Sequence, residues 1–304
     1  MISHPLVSVI IPAYKARNFL AQALQSVADQ DYPNIEILVI DDASPEPIDD
    51  IISAYQNIPS NPILHLISHF QNQGLGAARN TGINNAKGEF VALLDHDDLW
   101  KKNHLTDLIP KMQGTNADIG FCKALLFTDN PNDHSGTWGP PNEAVETHPG
   151  YDLFKCSYIT PSSAIIRTSA ILKLNGFNTD PKVHMCEDHD LWLRAAIDGF
   201  QFYYSKETTI YYRKHSEQAT SKKGYMAFQS AYVLHLHADK IKAPWFEKRA
   251  FVAHAWWSAF NTLATTDRIR PDVLIKAIRT SLPVPWEAAR GLVHLARNYR
   301  QTRN

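Results

Sequence analysis

Three cysteines in 304 residues leave little for a covalent framework. Cys122, Cys156 and Cys186 are odd in number, widely spaced and without a Cys-x-x-Cys pair. That excludes a disulfide scaffold and fits a reducing compartment, where such thiols serve as small buried hydrophobes. Charge of one sign is lacking too. The formal net charge is -1, so no overall field draws nucleic acid or another polyanion. No run approaches the roughly 20 apolar residues that cross a bilayer. Met1-Ile2-Ser3-His4-Pro5 has neither the basic region nor the apolar core of a signal peptide. The expected location is cytoplasmic, with peripheral attachment at the inner face of the membrane left open. There is no internal repeat and no low-complexity tract. What remains, 44% hydrophobic and 20% charged, suits an ordinary globular chain of one large domain or two smaller ones.

The first half alternates between two patterns. Val7 to Ile11, Ile35 to Ile40, Ile63 to Ile67, Phe90 to Leu94 and Ala117 to Phe127 are β-branched or apolar runs that predict buried strands. Between them lie helical patterns: Asn18, as a cap, to Gln30; Pro47 to Tyr55; Gly74 to Ala86; and Leu99 to Met112. Such alternation predicts parallel β-α-β units with right-handed crossovers, and a ligand site beyond the carboxyl ends of the strands. Three strand tips should therefore share one edge: Pro12, Asp41-Asp42, and Asp95-His96-Asp97-Asp98.

The third tip carries the most chemistry. An apolar strand that ends in three carboxylates crowds like charges unless a cation or donor joins them. Carboxylate oxygens suit Mg2+ or Mn2+, which also bridge to phosphates. The bland alternative is a solvated strand end. A second acidic centre, Glu187-Asp188-His189-Asp190, precedes an apolar helical run that ends near Gly199. Taken alone, simple capping at a helix N-terminus is the better explanation of it.

Asp129 to Pro149 is irregular and rich in Pro, Gly, Asn and His, which reads as a binding loop or a surface excursion. Ser162 to Ile166 returns to strand character. Ser169 to Leu174 reads as a helix stopped at Asn175-Gly176. Phe200 to Tyr204 and Thr208 to Tyr212 read as two short strands. From Gly224 onward the patterns are helical: Tyr225 to Lys242, Trp245 to Thr265, Pro271 to Ser281 and Trp286 to Tyr299. From Pro271 to the end, six Lys or Arg stand against Asp272 and Glu287, a local +4. A basic amphipathic ending can touch anionic lipid or simply pack on its own domain. The expected organisation is a domain over residues 1–223 and a helical C-terminal extension over 224–304.

The ordered set Val7 to Tyr14, Val39-Ile40-Asp41-Asp42-Ala43-Ser44, Gly74 to Asn80, Leu94 to Asp98 and Glu187 to Asp190 resembles the family 2 glycosyltransferases. The resemblance spans about residues 5–220. It implies the GT-A fold, an α/β architecture with a Rossmann-like, mostly parallel central sheet flanked by helices. It also implies inverting transfer from a nucleotide-sugar, UDP-linked by default, with a divalent metal as cofactor. By this resemblance Pro12, Ala13, Tyr14 and Asp42 surround the base and ribose, and Arg79 lies near the nucleotide. Asp95 and Asp97 form the Asp-x-Asp motif, with Asp97 the direct metal ligand and Asp95 a ribose or outer partner. His215 matches a late histidine that approaches the metal or diphosphate. Asp188 matches the catalytic base, with Glu187 and Asp190 orienting acceptor or neighbouring groups.

Two departures stand out: Lys15 where Asn is frequent and Ala43 where Gly is frequent. The Gln-x-x-Arg-Trp motif of processive synthases is absent, so transfer of single sugars to a glycan, lipid-linked or protein acceptor is expected. Two other readings stay open: a catalytically silent nucleotide-sugar binding or scaffold protein, and a sugar nucleotidyltransferase. The latter would want a Gly-rich phosphate loop where Pro12-Ala13-Tyr14 stands.

Overall fold

The computed structural model describes residues 4–140, 149–215, 223–266 and 270–281. Strand β1 (Val7–Ala13) is followed by α1 (Leu20–Ala28), β2 (Ile35–Asp41), α2 (Asp49–Gln56), β3 (Ile63–Ser68), α3 (Leu75–Asn85) and β4 (Phe90–Leu93). Next come β5 (Leu99–Trp100), α4 (His104–Thr115), β6 (Ile119–Phe127), β7 (Gly136–Trp138), α5 (Gly150–Lys155), a 3-10 turn (Pro161–Ser163), β8 (Ile165–Arg167) and α6 (Thr168–Lys173). The chain then forms α7 (Glu187–Ile197), β9 (Phe202–Arg213), α8 (Lys223–His237), α9 (Trp245–Thr266) and α10 (Pro271–Ser281).

All the described strands join one sheet in the order β3-β2-β1-β4-β8-β6-β9-β5, with β7 on β6. The first four are parallel, as the alternating pattern predicts. Beyond β4 the sheet is mixed. β8 runs antiparallel to both β4 and β6, and only the β6–β9 pairing is parallel. The sheet is thus less parallel than expected, because the elements after β4 no longer follow a strand-helix-strand order.

Alternation along β1 sends its side chains to two cores. Val7, Val9 and Ile11 pack with α1, α2 and α4 on one face. Ile10 packs on the other with α3 and α5 to α10, a face where Trp192 of α7 and Trp256 of α9 are fully buried. The C-terminal helices share this core with α7, so the division expected near residue 223 crosses continuous packing. Gly82 lets α3 lie directly on β1: a Cβ there would come within 2.5 Å of Ile10 Cγ2.

Several boundaries differ from expectation. Asn18 does not cap α1. The helix begins after a turn in which the Ala16 carbonyl accepts from the Phe19 and Leu20 amides, and Phe19 stands at the cap position without a side-chain bond. Leu99 and Trp100 pair with β9, and Trp100 Nε1 donates to the Ser162 carbonyl at 2.7 Å, so α4 starts only at His104. The two aromatic strands expected after Gly199 are one strand, β9. Its register on β6 jumps from Ser205 to Thr209, a bulge that takes residues 206–208 out of the register with β6. Asn175 and Gly176 do stop a helix in the left-handed region, with φ 57° and 66°. The expected helix over Trp286 to Tyr299 lies outside the described residues.

Candidate functional site

At the tip of β1 the Ala13 carbonyl accepts the Asp42 amide at 2.8 Å, and His96 Nδ1 lies 3.2 Å from the Pro12 carbonyl. Tyr14 stands 43% exposed at the rim. Lys15 and Ala43 both hold left-handed backbone, with φ 55° and 57°. Asn and Gly reach that region with least strain, which explains why they are the frequent residues there; nothing in the structure explains Lys and Ala in their place.

Asp42 is buried and fully engaged. One carboxylate oxygen accepts from the Gln73 amide at 2.8 Å and lies 2.7 Å from His69 Nδ1; the other accepts from the Gly74 amide at 2.8 Å. Asn72 Nδ2 donates to the Asp42 carbonyl at 3.1 Å. The carboxylate therefore shapes the 69–74 loop that leads into α3. His69 was not singled out from the sequence, and a lone histidine after β3 offered no signal there.

One helical turn into α3, Arg79 is 1% exposed and bridges two acidic centres. Its Nη2 donates to Asp95 at 2.7 Å and its Nη1 to Glu187 at 2.9 Å, with the guanidinium over the Phe177 ring. Asn80 beside it clamps the Phe177 backbone, donating to its carbonyl at 2.8 Å and accepting its amide at 2.7 Å. Gly176 completes that joint. Any Cβ there would sit 2.3 Å from Asn80 Oδ1.

The three carboxylates after β4 have separate fates. Asp95 faces Arg79. Asp97 Oδ2 lies 2.9 Å from His215 Nε2, and both side chains keep some exposure, 16% and 21%. Burial works to raise the Asp97 pKa, but the His215 hydrogen bond and the nearby His96 outweigh it and hold the carboxyl below its ordinary range. Asp98 is buried. It accepts from Ser162 Oγ at 2.6 Å and from the Arg213 amide at 2.9 Å. Burial, then the charges of Asp97 and Asp95, push its pKa well up. Arg213 was also missed. Its guanidinium is sandwiched between Phe19 and Phe127, 4.6 and 4.5 Å from the ring centroids, and its Nε donates to the Asp97 carbonyl at 2.8 Å. The only signal was its place two residues before His215.

At the start of α7 the order of charge is reversed. Glu187 is 2% exposed and tied to Arg79, and its Oε2 has no protein partner among the described residues. Asp188 is half-buried and accepts the His189 amide at 2.8 Å. Burial first, then the Glu187 charge, push its pKa up to about 7, against the lowering effect of Arg79. Asp190 is fully closed off, bound to Arg194 Nε at 2.7 Å and His237 Nε2 at 2.8 Å. A shallow crevice walled by Gly76, Ala77, Asn178, His184 and Glu187 lies between α3 and the loop before α7.

The structure therefore gathers Asp95, Asp97, His215, Arg79, Glu187 and Asp188 around the strand tips, and Pro12, Ala13 and Tyr14 beside them. It places Asp42 and Asp190 in supporting positions. Among the described residues, no group of three His, Cys, Asp or Glu side chains is placed to hold a metal by itself. Asp97 and His215 fit an ion that takes its remaining ligands from phosphate and water, as Mg2+ and Mn2+ do.

The description "Glycosyl transferase family 2" matches residues 8–174, more than half of the chain. The chain belongs to this family. TuaG of Bacillus subtilis, named for a role in teichuronic acid biosynthesis, is 28% identical over 79% of this chain and 92% of its own length. Among solved structures, S. aureus TarS residues 1–349 in complex with UDP-GlcNAc has a TM-score of 0.67 at 21% identity. That match covers 90% of this chain and 79% of TarS 1–349. The mannosyltransferase PcManGT of Pyrobaculum calidifontis, in complex with GDP-Man and Mn2+, has a TM-score of 0.63 at 18% identity, covering 97% and 85%. These likenesses establish the GT-A type fold, and the family match establishes a glycosyltransferase.

Proposed function

We propose that this glycosyltransferase is a metal-assisted, inverting enzyme that moves one sugar from a nucleotide-sugar, UDP-linked by first choice, to an acceptor hydroxyl. The observation that carries this reading is Asp188, a carboxylate with its pKa pushed up to about 7, standing across Arg79 from the Asp95–Asp97 tip. A general base works best with a pKa near the operating pH, and Asp188 meets that condition as the acceptor hydroxyl gives up its proton.

The other residues divide the remaining work. Arg79 bridges Asp95 and Glu187. The free Oε2 of Glu187 is available to accept a hydroxyl hydrogen bond. Pro12, Ala13 and Tyr14 line the nucleotide side. Asp97 and His215 would hold the divalent metal, with Asp95 in support. Such an ion supplies neutralisation of charge growing on the departing diphosphate. Single displacement at the anomeric carbon inverts its configuration, in keeping with a lone base. We favour a glycan, lipid-linked or protein acceptor and work in the cytoplasm, with membrane contact through the basic stretch from Pro271 onward as the second reading.

A panel of UDP-GlcNAc, UDP-glucose, UDP-galactose and GDP-mannose, each with and without Mn2+, tests the proposal. Metal-dependent release of the nucleoside diphosphate from one donor supports it. Binding of a nucleotide without turnover of any donor would favour the catalytically silent reading.

A further inference from the structure

We infer that the C-terminal helices are a working part of the transfer site, and that His237 of α8 is a positioning residue for the first turn of α7. The inference rests on reading Asp188 as the base. Glu187 and Asp190 lie three residues apart on α7, so one side of its first turn is held at two points. In front, Glu187 is tied to Arg79 at 2.9 Å. Behind, Asp190 has no exposed surface, and each of its carboxylate oxygens is spoken for. Oδ2 accepts from Arg194 Nε at 2.7 Å, and Oδ1 lies 2.8 Å from His237 Nε2. Arg194 also donates to the Leu174 and Gly176 carbonyls at 2.6 and 2.7 Å, which fixes Asp190 to the chain before α7.

His237 differs from Arg194 because it comes from the extension. It is 2% exposed, and its Nδ1 is buried without a partner. That is the pattern of a ring whose Nε2–H points at the Asp190 carboxylate. Asp190 stays ionised in this pocket: burial opposes, but the His237 and Arg194 bonds hold its pKa below the ordinary value. Trp192 of α7 shares a continuous core with Val233, Leu234 and Trp256 of α8 and α9, so the contact is backed by packing. Asp188 lies between the two tie points. Loosening the rear one frees the base without touching the nucleotide side.

Hydrogen exchange on the full chain tests this without a known acceptor. In His237→Leu, amides of residues 186–194 should exchange about tenfold faster, the scale expected when a hydrogen bond to a charged group is lost. Amides of β1 and β4 should be unchanged, as should UDP affinity in Mn2+. UDP release from UDP-GlcNAc with water as acceptor should fall by about tenfold. His237→Gln, whose amide N–H can reach Asp190, should restore both readouts. Unchanged exchange over 186–194, a rise spread evenly through the chain, or a parallel loss of UDP affinity would overturn the inference. Asp188→Asn, run alongside, separates the two readings. If it loses turnover and His237→Leu does not, the inference alone fails. If neither loses turnover, the assignment of the base fails with it.

Discussion

Two four-residue stretches, Asp95-His96-Asp97-Asp98 after β4 and Glu187-Asp188-His189-Asp190 at the start of α7, carry nearly the same residue types. They end in opposite electrostatic states. At the strand tip the partly exposed member, Asp97, faces His215 and is held ionised, while the buried Asp98 takes the upward shift. At the helix start the closed member, Asp190, is ionised by Arg194 and His237, and Asp188, short of partners, rises to about 7. What separates the members of the two stretches is therefore the balance between burial and the charged groups around each carboxylate. Arg79 links the two stretches and keeps them from repelling each other.

The comparison breaks most sharply at Asp188 and at Arg79, which joins the two stretches. Asp188→Asn should lower transfer by about 100-fold to 10,000-fold while donor binding persists, since a general base contributes on that scale. Steady-state rates with parallel calorimetry check this, and a loss below about tenfold would remove Asp188 from its role. Arg79→Met should destabilise the fold by roughly 3–5 kcal/mol, because it removes the buried cation that bridges Glu187 and Asp95. Urea unfolding measures it; a change under about 1 kcal/mol would mean the pair gains little from its bridge.

The pH profile sharpens the contrast. A base must be deprotonated to work, so kcat/KM should climb with pH through about 7 and then level. Glu187→Gln removes the charge that helps raise Asp188, so the acid limb should move to lower pH. A limb that stays in place would assign it to another group. The smallest effect concerns the rim of the site. Ala43→Gly relieves a left-handed backbone at φ 57° and should stabilise the fold by roughly 0.5–1 kcal/mol, read as a higher urea midpoint.

The parallel half of the sheet was legible from β-branched runs alternating with helical spacing, and so were the three strand tips at Pro12, Asp41-Asp42 and Asp95 to Asp98. The mixed half was not. β5 is two residues long, and the bulge in β9 depends on how Ser205 and Thr209 find β6, which no local pattern records. The site was legible as a set of residue types but not as a set of partners. Asp42 and Arg79 were expected to meet nucleotide; the structure engages them with the 69–74 loop and with Asp95 and Glu187. Contacts made across more than a hundred residues, such as Asp98 with the Arg213 amide, leave no trace in spacing. Lys15 and Ala43 show the reverse case, where an unusual residue stands at a left-handed backbone position.

Calorimetric titration of UDP and GDP, with and without Mn2+, into the wild type, Asp97→Ala and Asp188→Asn tests the division between the two acidic stretches most directly. The expected result is Mn2+-dependent binding of one nucleotide by the wild type and Asp188→Asn, abolished in folded Asp97→Ala. Nucleotide binding that ignores Mn2+, or that survives Asp97→Ala unchanged, would contradict the assignment of the strand tip to the donor and of α7 to the acceptor.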